Sequence, residues 1–345
     1  MKYPQQLDKE QRRMAESRQE QRRDAIRLIL KGEVLKVERD RARLARVIAD
    51  RVNVAPDVAA AIAEGAPLKT LRLTPTKEEA VRSIIEVDHS VPMTFADKAR
   101  EISRAVGRLT TRNGRAMGSC FMISPRLLAT AGHALPNRET VALRKVEFNF
   151  EQKSSSPNTR ARFTLNPDTF FLSKDEMGLD CTIIALGEKI DAATFTPRYC
   201  PLSARDDKHA LGFFGNLIHH PGAKAKQFVL RENRLIDRPD EPAPNGAGGV
   251  DRPELLAYRG QTDPGSSGAP VFNDVWNVVA LHFWGGTLPP LHLGDGVTVQ
   301  DTVGHGIRIS AIVSRLQQLR PGLTPQRQGL LDEAVPLVTG APGTD

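Results

Sequence analysis

Three separate segments of the chain carry the residue types that acyl transfer requires. His133 ends the segment LATAGH, Asp180 precedes the apolar run CTIIAL, and Ser267 lies within the segment DPGSSGAPVF. A serine hydroxyl is a weak nucleophile at neutral pH, so a base must accept its proton during attack. An imidazole can be that base, and a carboxylate can fix its tautomer and stabilise the imidazolium ion. These residues therefore indicate a nucleophilic site.

The glycines around Ser267 fit the same chemistry. Gly265 lets the chain turn so that its N–H and that of Ser267 point toward one place, where they would form an oxyanion hole. Gly268 leaves room for the substrate backbone, and Pro270 ends the turn before the next strand. Ser266 is the alternative nucleophile, but the position directly before Gly268 favours Ser267.

Simpler interpretations exist for each motif. An isolated Ser-Gly pair is commonly just a turn, and an isolated Asp before a strand is commonly a cap. Asp168 and Asp175 lie near Asp180 in the sequence and are alternatives to it.

The region from residue 106 onward must position these residues. Short strand-like runs alternate there with Gly, Pro and Asn, namely VGRLTT, CFMIS, LLATA, VEFNF, CTIIAL, QFVL, LLAYRG, APVFN and VVALHFWG. This density of short strands predicts an all-β barrel or sandwich. A closing helix is predicted over Ile312–Leu319, and residues 321–345, which carry four Pro and four Gly, are predicted to be a loose tail.

The first 93 residues are predicted to be helical and basic. Residues 8–51 contain 14 Lys or Arg and 9 Asp or Glu. Interleaved Arg and Glu at i, i+4 spacing are typical of a solvated helix face, which is the favoured interpretation. A helical arm that recruits a regulatory protein is the second. Nucleic-acid binding is third, because no DNA-binding motif accompanies the charge.

In their order and sequence context, the three motifs resemble a chymotrypsin-fold serine peptidase of the bacterial glutamyl-endopeptidase-like, cytosolic type. The likeness covers roughly residues 94–318 and extends to the stretches HPG, KQFVLREN and GIRISAI. It implies a mainly β protein, a double β-barrel with an N-terminal α-helical region. The expected organisation is 1–93 helical region, 94–320 peptidase domain and 321–345 tail.

By this resemblance His133 is the general base, Asp180 orients it, Ser267 is the nucleophile, and the N–H groups of Gly265 and Ser267 form the oxyanion hole. The strand that contains His282 would form one wall of the pocket for the P1 residue, the residue before the scissile bond.

The likeness also implies a substrate-binding set, which consists of Thr262, His282, Phe283, Trp284 and Gly285. The backbone from Phe283 to Gly285 could pair with the substrate as an added strand. His282 and Thr262 match the residues with which glutamyl endopeptidases bind an acidic P1 carboxylate. The alternative is that His282 is a satisfied wall residue. The tryptophans at 276 and 284 are predicted to be packing and pocket-wall residues rather than nucleic-acid platforms.

Two departures from the family pattern are informative. Ser266 stands where animal digestive members have an Asp that pairs with a new N-terminus, so we expect no activation by N-terminal processing. Ala134 stands where secreted relatives have a half-cystine. The chain has three cysteines, Cys120, Cys181 and Cys200, without C-x-x-C spacing. We therefore expect buried free thiols, no metal, no cofactor and a cytoplasmic location.

The sequence thus predicts a serine endopeptidase that hydrolyses proteins or peptides. The alternative is a catalytically inactive peptidase fold that acts as a protein-binding module. No window of about 18 uninterrupted apolar residues suggests a membrane span, and the N-terminus lacks the apolar core of a secretory signal.

Overall fold

The architecture consists of two β-barrels and a set of helices that packs on them. The computed structural model describes residues 4–85, 91–152, 160–239, 252–260, 262–294 and 296–336. Six helices precede the first strand, and they are α1 Gln5–Ser17, α2 Gln19–Leu30, α3 Arg41–Val52, α4 Pro56–Ala63, α5 Pro75–Ile85 and α6 Met93–Ser103.

The first barrel is a closed antiparallel sheet with the strand order β1-β2-β3-β6-β5-β4. Its strands are β1 Val106–Thr111, β2 Ala116–Met122, β3 Leu127–Ala131, β4 Arg144–Phe148, β5 Ala161–Leu172 and β6 Cys181–Lys189. Two short helices interrupt it, α7 Arg138–Val141 and α8 Lys174–Met177. All five residues of β3, the run LLATA, are buried, which is why an uninterrupted apolar run forms a strand here.

The second barrel is also closed, with the strand order β10-β11-β12-β9-β8-β7. Its strands are β7 Phe214–His219, β8 Gln227–Asp237, β9 Leu255–Arg259, β10 Pro270–Phe272, β11 Val278–Gly294 and β12 Val297–Arg308. The largest apolar core is continuous across both barrels and includes Phe121 of β2 and Phe272 of β10. The mainly β, chymotrypsin-like double barrel with helices at its N-terminus is thereby confirmed.

The C-terminal region differs from the predicted loose tail. Helix α9 spans Ile309–Leu319 and helix α10 spans Pro325–Ala334. Leu330, Leu331 and Ala334 are buried in the same core as the barrels, and the carbonyl of Ala334 accepts a hydrogen bond from the N–H of Leu202. The prediction of a tail from residue 321 was therefore wrong up to residue 336, because the apolar pair at 330 and 331 has a place to pack. Residues 337–345 lie outside the described part of the chain.

The N-terminal helices are not simply a solvated basic arm. Met14 and Ala15 of α1 belong to the main core, and Ile26 of α2 packs with Leu291 and Leu293 of β11. The chain breaks between α1 and α2 at Arg18.

Two buried ion pairs join these helices to the second barrel. At the break, Arg18 Nη2 lies 2.8 Å from Asp237 Oδ1 of β8. Arg22 Nη2 of α2 lies 2.6 Å from Asp301 Oδ2 of β12, and both side chains are 1% exposed. The solvated-face interpretation is therefore wrong for Arg18 and Arg22. Helices α3 to α5 form a separate small core with Ala210 and Phe213.

We expect Arg22→Ala to lower the free energy of unfolding by about 3–5 kcal/mol, because it leaves the Asp301 carboxylate buried without its partner. Urea titration of the full chain measures this. The matched control is Arg23→Ala, since Arg23 pairs with Glu20 at the surface, where a pair contributes about 1 kcal/mol or less. Equal decreases in the free energy of unfolding of the two variants would contradict the argument from burial.

Candidate active site

His133 and Asp180 meet because their strands are neighbours. His133 lies in a 3-10 turn directly after β3, and Asp180 directly precedes β6. The register pairs Ala131 with Cys181. Asp180 Oδ2 lies 2.6 Å from His133 Nδ1, and Asp180 Oδ1 accepts the backbone N–H of His133 at 2.7 Å. One carboxylate therefore fixes both the ring and the main chain of the histidine, and its bond to Nδ1 leaves Nε2 as the ring atom for proton transfer.

The alternative carboxylates lie elsewhere. The Asp168 side chain is 91% exposed and pairs with Arg138. Asp175 is exposed on α8. Among the three candidates, Asp180 is the one that contacts His133.

Ser267 lies on the loop between β9 and β10, and this loop packs against the first barrel. The Ser267 carbonyl accepts the N–H of Ser119 on β2 at 2.8 Å. A Cβ at Gly268 would lie 2.1 Å from the Ser119 carbonyl oxygen and 2.9 Å from the nitrogen of Ala131, two residues before His133. Gly268 also has a φ of 89°, so a larger residue is excluded by both space and conformation. The loop that carries Ser267 therefore lies against the end of β3, just before His133.

Two peptide groups beside Ser267 have their carbonyls engaged by other main-chain N–H groups. The Pro264 carbonyl accepts the N–H of Gly222 at 2.8 Å, and the Ser266 carbonyl accepts the N–H of Ala269 at 3.0 Å. The carbonyl and N–H of a trans peptide point in opposite directions. The N–H groups of Gly265 and Ser267 thus point the other way, and neither donates to an acceptor within the described ranges.

Ser266 is engaged in supporting the loop. Its hydroxyl donates to the Asp263 carbonyl at 2.7 Å and lies 2.8 Å from His219 Nδ1. The Ser267 hydroxyl contacts the Phe283 carbonyl at 3.3 Å. The two serine hydroxyls therefore have different partners, and Ser267 is the one beside β11.

The predicted pocket residues gather around Gly285. A Cβ at Gly285 would lie 1.9 Å from Thr262 Oγ1 and 3.6 Å from His282 Cε1. Thr262 Oγ1 and His282 Nε2 are buried and have no hydrogen-bond partner among the described residues. The Tyr258 hydroxyl is hydrogen-bonded to His282 Nδ1. Burial lowers the pKa of His282 to about 3, so the ring is neutral at physiological pH.

Trp284 is fully buried, and its Nε1 donates to Asp8 Oδ1 of α1 at 2.9 Å. Three residues of this region had no signal in the sequence, and they are Asp8, Ser119 and Tyr258. Each acts through a distant partner, which local spacing does not reveal.

The described residues include no group of three or more His, Cys, Asp or Glu side chains that could hold a metal ion. The three cysteines are buried and unpaired, and burial raises the pKa of Cys120 to about 12. No helix in the described ranges is long and apolar enough to cross a bilayer.

Comparison with known proteins finds similarity in the barrel region. Residues 118–281, just under half of the chain, match the family model described as a trypsin-like peptidase domain. The matched segment includes His133, Asp180 and Ser267.

The chain is 30% identical over 295 residues to the uncharacterised protein y4fB of Sinorhizobium fredii (strain NBRC 101917 / NGR234), with 76% of this chain and 43% of the relative covered. The chain thus spans less than half the length of that relative.

Solved structures with a similar arrangement include two proteases. The inactive form of Rv3671c from M. tuberculosis H37Rv is 16% identical, with a TM-score of 0.42 and coverage of 69% of this chain and 98% of that one. The HtrA-type protease AlgW with a tripeptide is 15% identical, with a TM-score of 0.40 and coverage of 65% and 63%. The fold assignment rests on the two closed barrels themselves.

Acidification should destabilise the protein because its buried histidines resist protonation. Burial lowers the pKa of His219 to about 4 and the pKa of His305 to about 3, and it also lowers the pKa of His209 and His220. The unfolded chain takes up these protons below about pH 6.5 while the folded chain does not. The neutral buried rings therefore cost no stability above about pH 6.5. As the pH drops from there toward 4, we expect the free energy of unfolding to fall by up to about 1.4 kcal/mol per pH unit for each histidine.

Urea titrations at pH 7.5, 6.5 and 5.5 measure this dependence. His209→Leu removes one buried ring and should make the slope shallower. His292→Gln is the matched control, because His292 is exposed, and it should leave the slope unchanged. A stability that is flat over this range would contradict the prediction.

Proposed function

We propose that the protein is a serine endopeptidase in which His133, Asp180 and Ser267 act as a catalytic triad. The observation that carries the proposal is the double contact of Asp180 with His133, 2.6 Å to the ring and 2.7 Å to the backbone, beside a loop that presents Ser267. A carboxylate in this position holds the imidazole in one tautomer and stabilises its protonated form.

In the proposed reaction each of these residues has a separate role. Ser267 Oγ attacks the carbonyl carbon of the scissile bond, and His133 Nε2 accepts the hydroxyl proton. The N–H groups of Gly265 and Ser267 donate to the oxyanion that forms. His133 then gives the proton to the leaving amine, the C–N bond breaks, and an acyl-enzyme remains on Ser267. Water, deprotonated by His133, releases the acid product and restores the serine.

The substrate is an extended peptide that binds along β11. In the free protein the Phe283 carbonyl accepts the Ser267 hydroxyl, and in the complex it would accept the N–H of the P1 residue instead. Gly285 follows on the same edge, where an antiparallel substrate strand would add to the sheet. Its lack of a side chain makes room for the Thr262 hydroxyl, since a Cβ there would lie 1.9 Å from Oγ1.

We further propose that the pocket accepts an acidic P1 residue. The supporting observation is that Thr262 Oγ1 and His282 Nε2 flank Gly285 and are both buried without partners. A buried polar atom without a partner costs roughly 1–3 kcal/mol, so a ligand that satisfies both is favoured. With the Tyr258 hydroxyl donating to Nδ1, the neutral His282 ring carries its proton on Nε2. A carboxylate would then accept from both Nε2 and Oγ1.

We also propose a cellular location for the enzyme and a surface for its regulation. Three buried thiols without disulfides support a reducing, cytoplasmic location. Helices α3 to α5 lie outside the main core and would provide the surface for a regulatory protein.

Reaction with a fluorophosphonate tests the nucleophile. We expect the intact chain to be labelled on Ser267, and we expect Ser267→Ala to abolish labelling and to lower kcat for peptide hydrolysis by about 10⁴-fold or more. Asp180→Asn should lower kcat by a similar order, because the imidazole then loses its tautomer control. Intact mass establishes that the labelled chain is uncleaved.

Ser314→Ala is the matched control, because Ser314 is an exposed serine on α9; it should retain full labelling. A folded wild-type protein that neither reacts nor cleaves peptides would overturn the proposal in favour of a binding module without catalysis.

A pair of peptides that differ only in Glu or Gln at P1 tests the pocket. We expect Thr262→Val to reduce the Glu-over-Gln ratio of kcat/KM by about ten- to hundredfold, since it removes one hydrogen bond to a charged group. Thr169→Val, at an exposed threonine of β5, should leave the ratio unchanged. Cleavage after Arg or Leu in a peptide library would contradict the acidic-P1 proposal without contradicting the proposed triad.

A further inference from the structure

The N-terminal helices contact the strand along which the substrate is proposed to bind. Three of their side chains donate to carbonyl groups of β11. Arg12 Nη1 lies 3.1 Å from the Thr287 oxygen, Gln19 Nε2 lies 3.4 Å from the Pro289 oxygen, and Arg27 Nε lies 2.9 Å from the Leu293 oxygen. Their spacing of seven and eight residues lets α1 and α2 follow the strand.

Thr287 belongs to the free edge of β11. On the next strand, β12, the carbonyl of Thr302 accepts the N–H of Gly260, so the polar groups of Thr302 face β9. Thr302 is directly opposite Thr287, and the polar groups of Thr287 therefore face away from β12. Leu288, one residue later, faces β12, because its carbonyl accepts from Gln300 Nε2.

Gly285 lies on the same edge as Thr287. Pairing between β11 and β12 is regular from Trp284 to Leu288, and main-chain groups alternate between the two edges of a strand. Going away from the nucleophile, the substrate-facing positions are therefore Phe283, Gly285 and Thr287. An antiparallel substrate would place P1, P3 and P5 against them in that order.

Arg12 is held at the P5 position by two further contacts. Its Nε donates to Asp8 Oδ2 at 3.0 Å, and its guanidinium carbon lies 5.9 Å from the centre of the Trp284 ring. Asp8 in turn accepts from the Trp284 indole. A substrate residue at P5 would have to displace this arrangement to reach the Thr287 carbonyl.

From this geometry we infer that α1 ends the substrate-binding edge after P3, with Arg12 as the residue that occupies the next position. The inference rests on the proposed function. The substrate class is a peptide recognised through its P1–P3 backbone. Residues that precede P3 do not affect recognition. Arg12 is a specificity-determining residue that acts by covering the strand edge, and the N-terminal helices are part of the substrate-binding region.

The test uses coumarin-amide peptides with Glu at P1, capped at P3, P5 or P7, together with versions N-methylated at the P3 or the P5 nitrogen. For the wild-type chain we expect kcat/KM to be the same for all three lengths. N-methylation at P3 should lower it by about threefold to tenfold, the value of one hydrogen bond, and N-methylation at P5 should have no effect.

Removal of the Arg12 side chain should let the substrate pair with β11 as far as P5. In Arg12→Ala we expect the P5 residue to raise kcat/KM by about threefold to tenfold and N-methylation at P5 to cancel the gain. Arg12→Lys, which keeps a donor, should restore the wild-type pattern. Arg13→Ala is the matched control, because it removes an equal charge from the neighbouring position of α1 and should behave as wild type.

A wild-type chain that gains tenfold from a P5 residue, or an Arg12→Ala variant that stays indifferent to it, overturns the inference. The wild-type N-methyl series decides the question even where Arg12→Ala does not fold. A wild type that cleaves none of the peptides counts against the proposed function instead.

In that case the affinity of the same peptides for Ser267→Ala tests the inference, measured by fluorescence anisotropy with fluorescein-labelled peptides. Equal affinity at all three lengths supports the inference, and tighter binding of the P5 peptide overturns it.

Discussion

The candidate site depends on the hydrogen bonds that Ser119 makes across the junction of the barrels. Its N–H donates to the Ser267 carbonyl, its hydroxyl donates to the Gly265 carbonyl at 2.9 Å and accepts the N–H of His220 at 3.0 Å, and its own carbonyl accepts the Thr130 hydroxyl. Ser119 is fully buried, and an unsatisfied polar group there would be costly. The proposed base lies on one barrel and the proposed nucleophile on the other, so these hydrogen bonds tie the two parts of the site together.

The residues of the site could be predicted from the sequence, but much of what holds them could not. The His133, Asp180 and Ser267 motifs are local, since each combines a reactive side chain with adjacent glycine or apolar residues. Strands such as LLATA were recognisable because they are short, mostly apolar runs. Strands β5, β7 and β12 were missed, because their polar residues interrupt any simple period. Ser119 and Tyr258 carry no motif, and their roles arise from partners that only the closed barrels bring near.

The ends of the chain illustrate the same limit. Charge and composition suggested a solvated arm at the start and a loose tail at the finish. Instead, Arg18 and Arg22 are buried against Asp237 and Asp301, and α10 packs Leu330 and Leu331 into the core. Composition describes the average environment of a segment, whereas burial of a charged residue depends on one specific opposite charge elsewhere in the fold.

The Arg22–Asp301 pair also constrains how the protein is made. Its members are 279 residues apart in the chain, so α2 leaves the ribosome long before β12 exists. During that interval the helix has neither its ionic partner nor the apolar surface of β11. The barrel that receives it is synthesised later, and contacts of such long range slow folding. Helix α2 therefore completes its packing only after β12 has been synthesised.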